Sequence, residues 1–225
     1  MPKTDDFTAI IIPKKPVVLL LNTGGKGPGG PQYYKKYLDA IKNAIERVSA
    51  YTANKSDVEV VYHLITYSSL ADVVTTTFCN YGEVKKHLDD ISIGGLRDFG
   101  QGLLRLNDCL NKHYASIEEG DYCCPHYPPS ILVLANGNPT DDAKSAIKNI
   151  QNNDWYKDSQ WFGVFSGDCT QYMLETGFFG DVTLPYPLPV EELSDWDNID
   201  EPIEAMIITA ALSGSWRTAY IHWSD

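Results

Sequence analysis

Two patterns of apolar residues alternate along this chain. Short continuous apolar runs, typical of strands buried on both faces of a sheet, occur at 17–21 (VVLLL) and 130–135 (SILVLA). Apolar positions that step by three and four residues predict amphipathic helices. They are Tyr34, Leu38, Ile41, Ile45 and Val48 in one segment, and Phe99, Leu103, Leu106 and Leu110 in another. This alternation predicts a doubly wound α/β fold: a mostly parallel sheet with helices on both faces.

The remaining segments extend the same alternation. Residues 58–66 and 161–165 predict strands, and the Val- and Thr-rich stretch 71–78 predicts a short antiparallel edge hairpin. Pro31 suits the first position of the first helix. A further helix carries Ala143, Ile147 and Ile150, with Thr140 or Asp141 as its cap. Short helices are expected at 169–175 and at about 202–212. We expect residues 1–225 to form a single domain.

Three loops rich in Gly and Asn lie next to predicted strand ends or helix starts, at 22–30, 94–98 and 136–140. In parallel α/β sheets, ligands bind outside the carboxyl ends of the strands, where the strand order reverses. We therefore expect these three loops to meet at one edge of the sheet and to form the functional surface.

The segments VVLLLNTGGKG, GGLRDFGQGL and ILVLANGNPTDD carry these loops. In order and spacing they resemble the three signature segments of von Willebrand factor type A (vWA) domains, and the resemblance runs from Pro16 to the last helix. The run 137–142 (GNPTDD) is similar to small stand-alone bacterial vWA proteins of the tellurium-resistance type. The resemblance implies a Rossmann-like vWA domain that binds other proteins, in a bacterial stress-response or tellurium-resistance system.

In the vWA family, a metal-ion-dependent adhesion site (MIDAS) uses Asp-x-Ser-x-Ser, a Thr and a second Asp to hold Mg²⁺ or Mn²⁺. The matching positions here are Asn22, Gly24, Lys26, Arg97 and Asn136. Hard divalent cations need several oxygen ligands, with carboxylates to offset their charge. Two neutral amides and two permanent cations do not supply this environment. The resemblance therefore implies a degenerate MIDAS without metal, and we expect no other cofactor.

These five positions leave two interpretations open. Lys26 and Arg97 could replace the charge of the metal and bind the acidic side chain or phosphate of a partner protein, with Asn22 and Asn136 holding them. Alternatively, the two cations form internal ion pairs that seal an inactive site. The acidic candidates for such pairs are Asp98, Asp141, Asp142 and Asp168.

Two other functions compete with this interpretation. Residues 25–30 (GKGPGG) match the G-x-G-x-x-G pattern of nucleotide-binding enzymes, but no acidic residue ends the second strand to bind a ribose. A metal-dependent adhesion domain with substituted ligands is the other alternative. No G-x-S-x-G elbow is present and the histidines are scattered, so the sequence does not indicate an enzyme.

Several cysteine and aromatic residues are weaker candidates for a metal site or a partner-binding surface. Cys123, Cys124 and His126 lack the second ligand pair of a zinc site, and Cys79, Cys109 and Cys169 are expected to be packed or half-buried thiols. Asp168 is expected to cap the helix that follows it. Packing of the tail is expected for Trp216, Tyr220 and Trp223, with an exposed partner-binding cluster as the alternative.

The net charge limits the expected classes of partner, and the cysteine content indicates the cellular compartment. The chain has 18 Lys and Arg against 30 Asp and Glu, a formal charge of -12. Such a protein repels phosphate backbones, so neither nucleic acid nor a membrane surface is an expected partner. Five cysteines, an odd number, and an N-terminus without a secretory pattern predict a cytoplasmic protein.

Overall fold

The computed structural model describes residues 14–25, 31–55, 58–69, 71–75, 77–118, 128–166, 169–178, 190–193 and 199–213. The strands are β1 (Lys14–Asn22), β2 (Glu59–Tyr67), β3 (Ala71–Val73), β4 (Ser130–Asn136), β5 (Gln160–Ser166) and β6 (Val190–Leu193). The helices are α1 (Pro31–Lys55), α2 (Tyr81–Asp89), α3 (Phe99–Glu118), α4 (Lys144–Gln151), α5 (Asp154–Asp158), α6 (Cys169–Glu175) and α7 (Asp200–Leu212).

The strands form one sheet in the order β3-β2-β1-β4-β5-β6. Every neighbouring pair is parallel except β2 and the short edge strand β3. The chain passes from β1 to β2 on one side and returns to β4 on the other. The strand order therefore reverses between β1 and β4, and the predicted α/β architecture is confirmed.

The central strand β1 is buried on both faces, which explains its continuous apolar run. Val17, Leu19 and Leu21 pack into the core on the side of α1 and α7. Val18 and Leu20 point the other way, into the core that includes apolar residues of α3, α4 and α6. Since successive side chains of a strand face opposite sides, a strand between two helical layers needs apolar residues at every position.

The two predicted helical stripes are confirmed. All five apolar positions of the α1 stripe are buried, as are the four of the α3 stripe. α1 covers the first face of the sheet and packs against α7, whereas α3 covers the second face and packs against α4. These helices place the carboxyl ends of β1 and β4 between the two layers.

One local prediction was wrong. α4 has Ala143 at its N-cap with no side-chain hydrogen bond, because Thr140 and Asp141 bond to the neighbouring segment 97–101 instead. The predicted antiparallel edge hairpin is confirmed, since β3 pairs antiparallel with β2 within the stretch 71–78, and a single bridge joins Tyr62 to Cys79. The last helix begins at Asp200, within the few residues allowed for the predicted boundary at 202.

Sequence analysis also missed α2, α5 and β6. α2 begins after a complete capping box, in which Asn80 accepts from the backbone N–H of Glu83 and Glu83 accepts from that of Asn80. This N-x-x-E pattern ahead of Val84 and Leu88 is readable in the sequence. β6 reads VEEL and α5 has five residues, so neither displays a clear apolar period.

Two groups of predicted residues lie outside the described ranges: Cys123, Cys124 and His126, and Trp216, Tyr220 and Trp223. No helix within the described ranges is both long enough and apolar enough to cross a bilayer.

Candidate functional site

The carboxyl ends of β1 and β4 bring two of the predicted residues together. Asn22 Nδ2 donates to Asn136 Oδ1 over 2.6 Å, with a longer bond of 3.3 Å to the Asn136 carbonyl. The side chains are 2% and 3% exposed. Because the amides satisfy each other, two polar residues can be buried where the strand order reverses. The predicted meeting of the loops at this edge is confirmed.

Tyr34, on the first turn of α1, completes this buried network. Asn136 Nδ2 donates to the Tyr34 hydroxyl over 2.9 Å, and that hydroxyl donates to the carbonyl of Gly24. Asn22 Oδ1 accepts from the Gly24 N–H over 2.7 Å. Burial raises the pKa of Tyr34, while the bond from Asn136 and the charge of Arg97 oppose that rise. Sequence analysis placed Tyr34 in the apolar stripe and missed its polar role.

Arg97 lies directly against the asparagine pair. Its Nε donates to Asn136 Oδ1 over 3.3 Å, and its side chain is half-buried. Gly25 and Gly137 flank the guanidinium, with φ of +78° and +68°. A Cβ at Gly25 would overlap Arg97 Nε, and one at Gly137 would lie 3.2 Å from Arg97 Cζ. The absence of side chains on both loops makes space for the guanidinium.

Thr140 holds the backbone of Arg97 in place. The Arg97 N–H donates to Thr140 Oγ1 over 2.9 Å, and the Thr140 N–H donates to the Arg97 carbonyl over 3.0 Å. The Thr140 hydroxyl in turn donates to Asp98 Oδ1 over 2.7 Å. Thr140 is therefore a clamp between the second and third loops.

The carboxylates suggested as ion-pair partners have other contacts. Asp98 accepts from Thr140, Asp141 from the backbone N–H of Gln101, and Asp142 from that of Lys144. These bonds join the three carboxylates to the Thr140 hydroxyl and to backbone N–H groups of α3 and α4. Asp168, the fourth candidate, lies outside the described residues.

The first two loops are joined through their backbones. Gly25 N–H donates to the Gly95 carbonyl over 2.8 Å, and Gly94 N–H donates to the Thr23 carbonyl over 2.9 Å. This close approach leaves no space for a side chain at Gly24, since a Cβ there would overlap the carbonyl oxygen of Leu96. A serine at position 24 therefore requires the second loop to move.

The crevice beneath Arg97 is closed. It lies between Asn22, Tyr67, Arg97 and Cys169, and it has no space for a water molecule. Two buried polar atoms nearby, the Tyr67 hydroxyl and Asp141 Oδ1, have no hydrogen-bond partner among the residues that the structure describes. Burial raises the pKa of the Cys169 thiol to about 12. Such a thiol is a poor nucleophile, because the thiolate is the reactive form.

Two large aliphatic side chains are exposed on the loop that carries Arg97. Leu96 and Ile93, on the loop that precedes α3, are 55% and 42% exposed. The two residues lie three positions apart on one loop and are a candidate contact surface. Sequence analysis did not identify these two residues, although the predicted loop 94–98 includes Leu96.

The structure describes only some of the other predicted site residues. Lys26 lies outside the described residues, and of the glycine-rich run 25–30 only Gly25 is described. Cys79 and Cys169 are buried and Cys109 is half-buried, all with free thiols, as predicted. Among the residues that the structure describes, no three His, Cys, Asp or Glu side chains are grouped to hold a metal ion.

No family model and no curated protein matches this sequence. Its structure is similar to a von Willebrand factor type A structure from Catenulispora acidiphila, with a TM-score of 0.56 and 12% identity over 88% of this chain and 43% of that one. Proximal thread matrix protein 1 from the mussel byssus gives a TM-score of 0.56 and 11% identity, over 89% of this chain and 47% of that one.

The same byssus protein with a zinc-occupied MIDAS motif gives a TM-score of 0.53 and 10% identity, over 89% of this chain and 46% of that one. The chain thus spans less than half the length of each of these structures. Likeness at such low identity concerns the fold, which is the Rossmann-like fold of vWA domains.

Proposed function

We propose that this chain is a non-catalytic protein-interaction module, which binds its partner with the carboxyl edge of the sheet. The observation that carries the proposal is the exposure of Leu96 and Ile93 on the loop that Arg97 and Thr140 fix in place. A rigid apolar loop loses little conformational entropy on binding, which favours affinity. The fold is consistent with this role, since vWA domains commonly mediate protein interactions.

The proposal includes a degenerate metal site. Asn136 Oδ1 accepts from both Asn22 and Arg97, and Asn22 Oδ1 accepts from Gly24. The amide oxygens are therefore engaged with N–H donors, and a guanidinium lies where a cation would need carboxylates. Gly24 has no space for a serine ligand. These residues do not fit a divalent cation, and the mechanism of binding uses none.

In its finer form, the proposal assigns an acidic side chain or phosphate of the partner to Arg97. A guanidinium carries five N–H donors in a planar fork, so a bond from Nε to Asn136 is compatible with a contact to a partner's carboxylate. The sequence resemblance to tellurium-resistance proteins supports a cytoplasmic bacterial stress-response complex as the setting.

Affinity capture with matched variants tests the proposal. The tagged chain, its Ile93→Ser/Leu96→Ser variant and a Leu104→Ser control are used to capture proteins from lysate of the native organism, with quantification by mass spectrometry. Leu104 is also exposed, at 37%, but lies on α3. We expect partners that the wild type and Leu104→Ser retain and the double variant loses. Equal capture by all three proteins would refute binding through this loop.

Arg97→Lys tests the finer form in the same assay, because lysine keeps the charge but loses the bidentate fork. Because lysine also loses the Nε bond to Asn136, thermal denaturation is measured in parallel, and we expect weaker capture at a temperature where the variant is folded. Undiminished capture would refute recognition of an acidic group by Arg97 and leave the apolar loop as the contact.

A further inference from the structure

A second groove lies beside the Asn22–Asn136–Arg97 cluster, on the side of β2 and β3. Its volume is about 360 Å³. Thr23 and Gly94 belong to its lining and are bonded to each other through the backbone, so the groove is continuous with the first two loops. Ile93, one of the two exposed residues of the proposed contact surface, also borders it.

The lining of this groove combines two chemistries. Val74, Ile91 and Ile93 contribute apolar surface, whereas Asp72 and Asp90 contribute carboxylates. Both carboxylates are exposed, and neither has an ion-pair partner among the described residues. Two carboxylates without a counter-ion, next to aliphatic surface, attract a cationic group on an aliphatic stem, as in lysine and arginine.

Thr66 is a further observation that points to a ligand. It lines the groove and is 7% exposed, yet its hydroxyl has no hydrogen-bond partner within the described part of the chain. A hydroxyl oxygen at the groove wall can accept a hydrogen bond from a ligand N–H.

We propose that this groove binds an arginine or lysine side chain of the partner protein, with its aliphatic stem against Ile91 and Ile93 and its charged head at Asp72, Asp90 and Thr66. The inference deepens the proposed function, on which it rests, by naming the chemistry of one partner residue. A groove of this volume is larger than a single metal ion requires and accommodates a long side chain. An arginine suits this lining better than a lysine, because its guanidinium carries five N–H donors in a planar fork for carboxylate and hydroxyl acceptors.

A peptide titration of the full chain tests the inference. The probe is acetyl-Leu-Arg-Leu-amide, and its matched controls carry norleucine or glutamate in place of arginine. We expect the arginine peptide to shift the amide resonances of Thr66, Asp72 and Asp90 saturably, and the norleucine peptide to bind about tenfold more weakly because it lacks the charge. In wild type, added salt is expected to weaken binding of the arginine peptide and not of the norleucine peptide.

Variants then assign the contacts. Asp72→Asn/Asp90→Asn is expected to lower affinity for the arginine peptide about tenfold, and Thr66→Val about threefold, the order of magnitude for one lost hydrogen bond. Asp158→Asn, an exposed carboxylate on α5, is the control and is expected to change nothing. Equal binding of the arginine and norleucine peptides, or unchanged affinity in the double variant, would overturn the inference.

A calcium or magnesium titration is run beside the peptide. If either metal shifts the same resonances saturably and the arginine peptide does not, the ligand of the groove is a metal ion. That result would overturn the inference. The peptide assay is independent of the capture assay. If the arginine peptide does not bind but capture still depends on Leu96 and Ile93, the groove inference is wrong and the proposed function stands. Failure of partner capture, in contrast, would remove the function on which the groove depends.

Discussion

The carboxamide of Asn22 donates to that of Asn136 over 2.6 Å, so that the ends of β1 and β4 are joined by a side-chain bond where the strand order reverses. The sequence resemblance to vWA domains would put carboxylates of a metal site at these two positions. Two carboxylates this close would repel each other unless a cation or a proton lay between them. The two neutral amides need no cation or proton between them, and the guanidinium of Arg97 places a positive charge next to them.

Removal of the Asn136 side chain is expected to destabilise the fold. Asn136→Ala deprives Asn22 and Arg97 of their acceptor and Tyr34 of its donor, which leaves buried polar groups unpaired. We expect the free energy of unfolding to fall by about 1–3 kcal/mol in urea titrations. Asn138→Ala, an exposed residue two positions later, is expected to change it by less than about 0.5 kcal/mol. Equal effects of the two substitutions would contradict the network.

Tyr34 and Tyr37 provide a matched pair of hydroxyls on one helix. The Tyr34 hydroxyl bonds to Gly24 and Asn136, whereas the buried Tyr37 hydroxyl has no hydrogen-bond partner in the described part of the chain. Tyr34→Phe is therefore expected to destabilise the protein by about 1 kcal/mol or more, and Tyr37→Phe to be neutral or stabilising. Thermal denaturation of the two variants provides the comparison. A greater loss from Tyr37→Phe than from Tyr34→Phe would show that the hydroxyl network is misassigned.

Gly25 and Arg97 are expected to be energetically coupled. Gly25→Ala introduces a methyl group that would overlap Arg97 Nε, as well as strain at a φ of +78°. In an Arg97→Ala background the overlap is absent, so the substitution should cost only the strain, of about 1 kcal/mol. Gly177→Ala, at a φ of +63° with open space around it, measures strain alone. A double-mutant cycle measures the coupling, and strictly additive effects would contradict the packing of Arg97 on Gly25.

Lys15 provides a prediction on pH dependence. Its side chain is 6% exposed, Nζ lies 3.4 Å from Gln160 Oε1, and burial lowers its pKa from 10.5 to about 8. Between these two values the unfolded chain binds more protons than the folded chain, so this residue makes stability rise with pH. Below pH 8 both states are charged, and the cost of burying the charge is fully present.

Lys15→Met is therefore expected to be more stable than wild type at pH 7, and the difference should shrink as pH rises from 8 to 10.5. The difference between the two proteins cancels the titration of other groups. Lys14→Met, at the neighbouring and more exposed position, is the control. Urea denaturation at several pH values measures both. A pH-independent difference for Lys15→Met would contradict the lowered pKa.

The architecture could be predicted because its main signals are apolar periods. The run 17–21 is continuous since β1 lies between two helical layers, and the three loops meet because parallel strands end at one edge. β6 escaped prediction because two of its four residues are Glu, so neither an alternating nor a continuous apolar pattern appears.

The site could be predicted only in part. Positions 22, 24, 97 and 136 are predicted from the resemblance to the vWA segments, and the structure brings them together. The role of Tyr34 does not follow, because an apolar stripe does not indicate which hydroxyl points to the sheet edge. Thr140 was interpreted as a helix cap. Its hydroxyl bonds to Asp98 and the Arg97 backbone instead. These bonds join loops that are far apart in the sequence, so local sequence patterns do not predict them.

Calorimetric titration of the chelator-treated protein with Mg²⁺ and Mn²⁺ tests the central claim most directly, with Asn136→Ala titrated in parallel. We expect no saturable heat from either protein at millimolar metal, because amide–amide and guanidinium bonds occupy the side-chain oxygens of Asn22 and Asn136. Micromolar binding by the wild type that Asn136→Ala abolishes would contradict this expectation, and would establish a metal site built from substituted ligands.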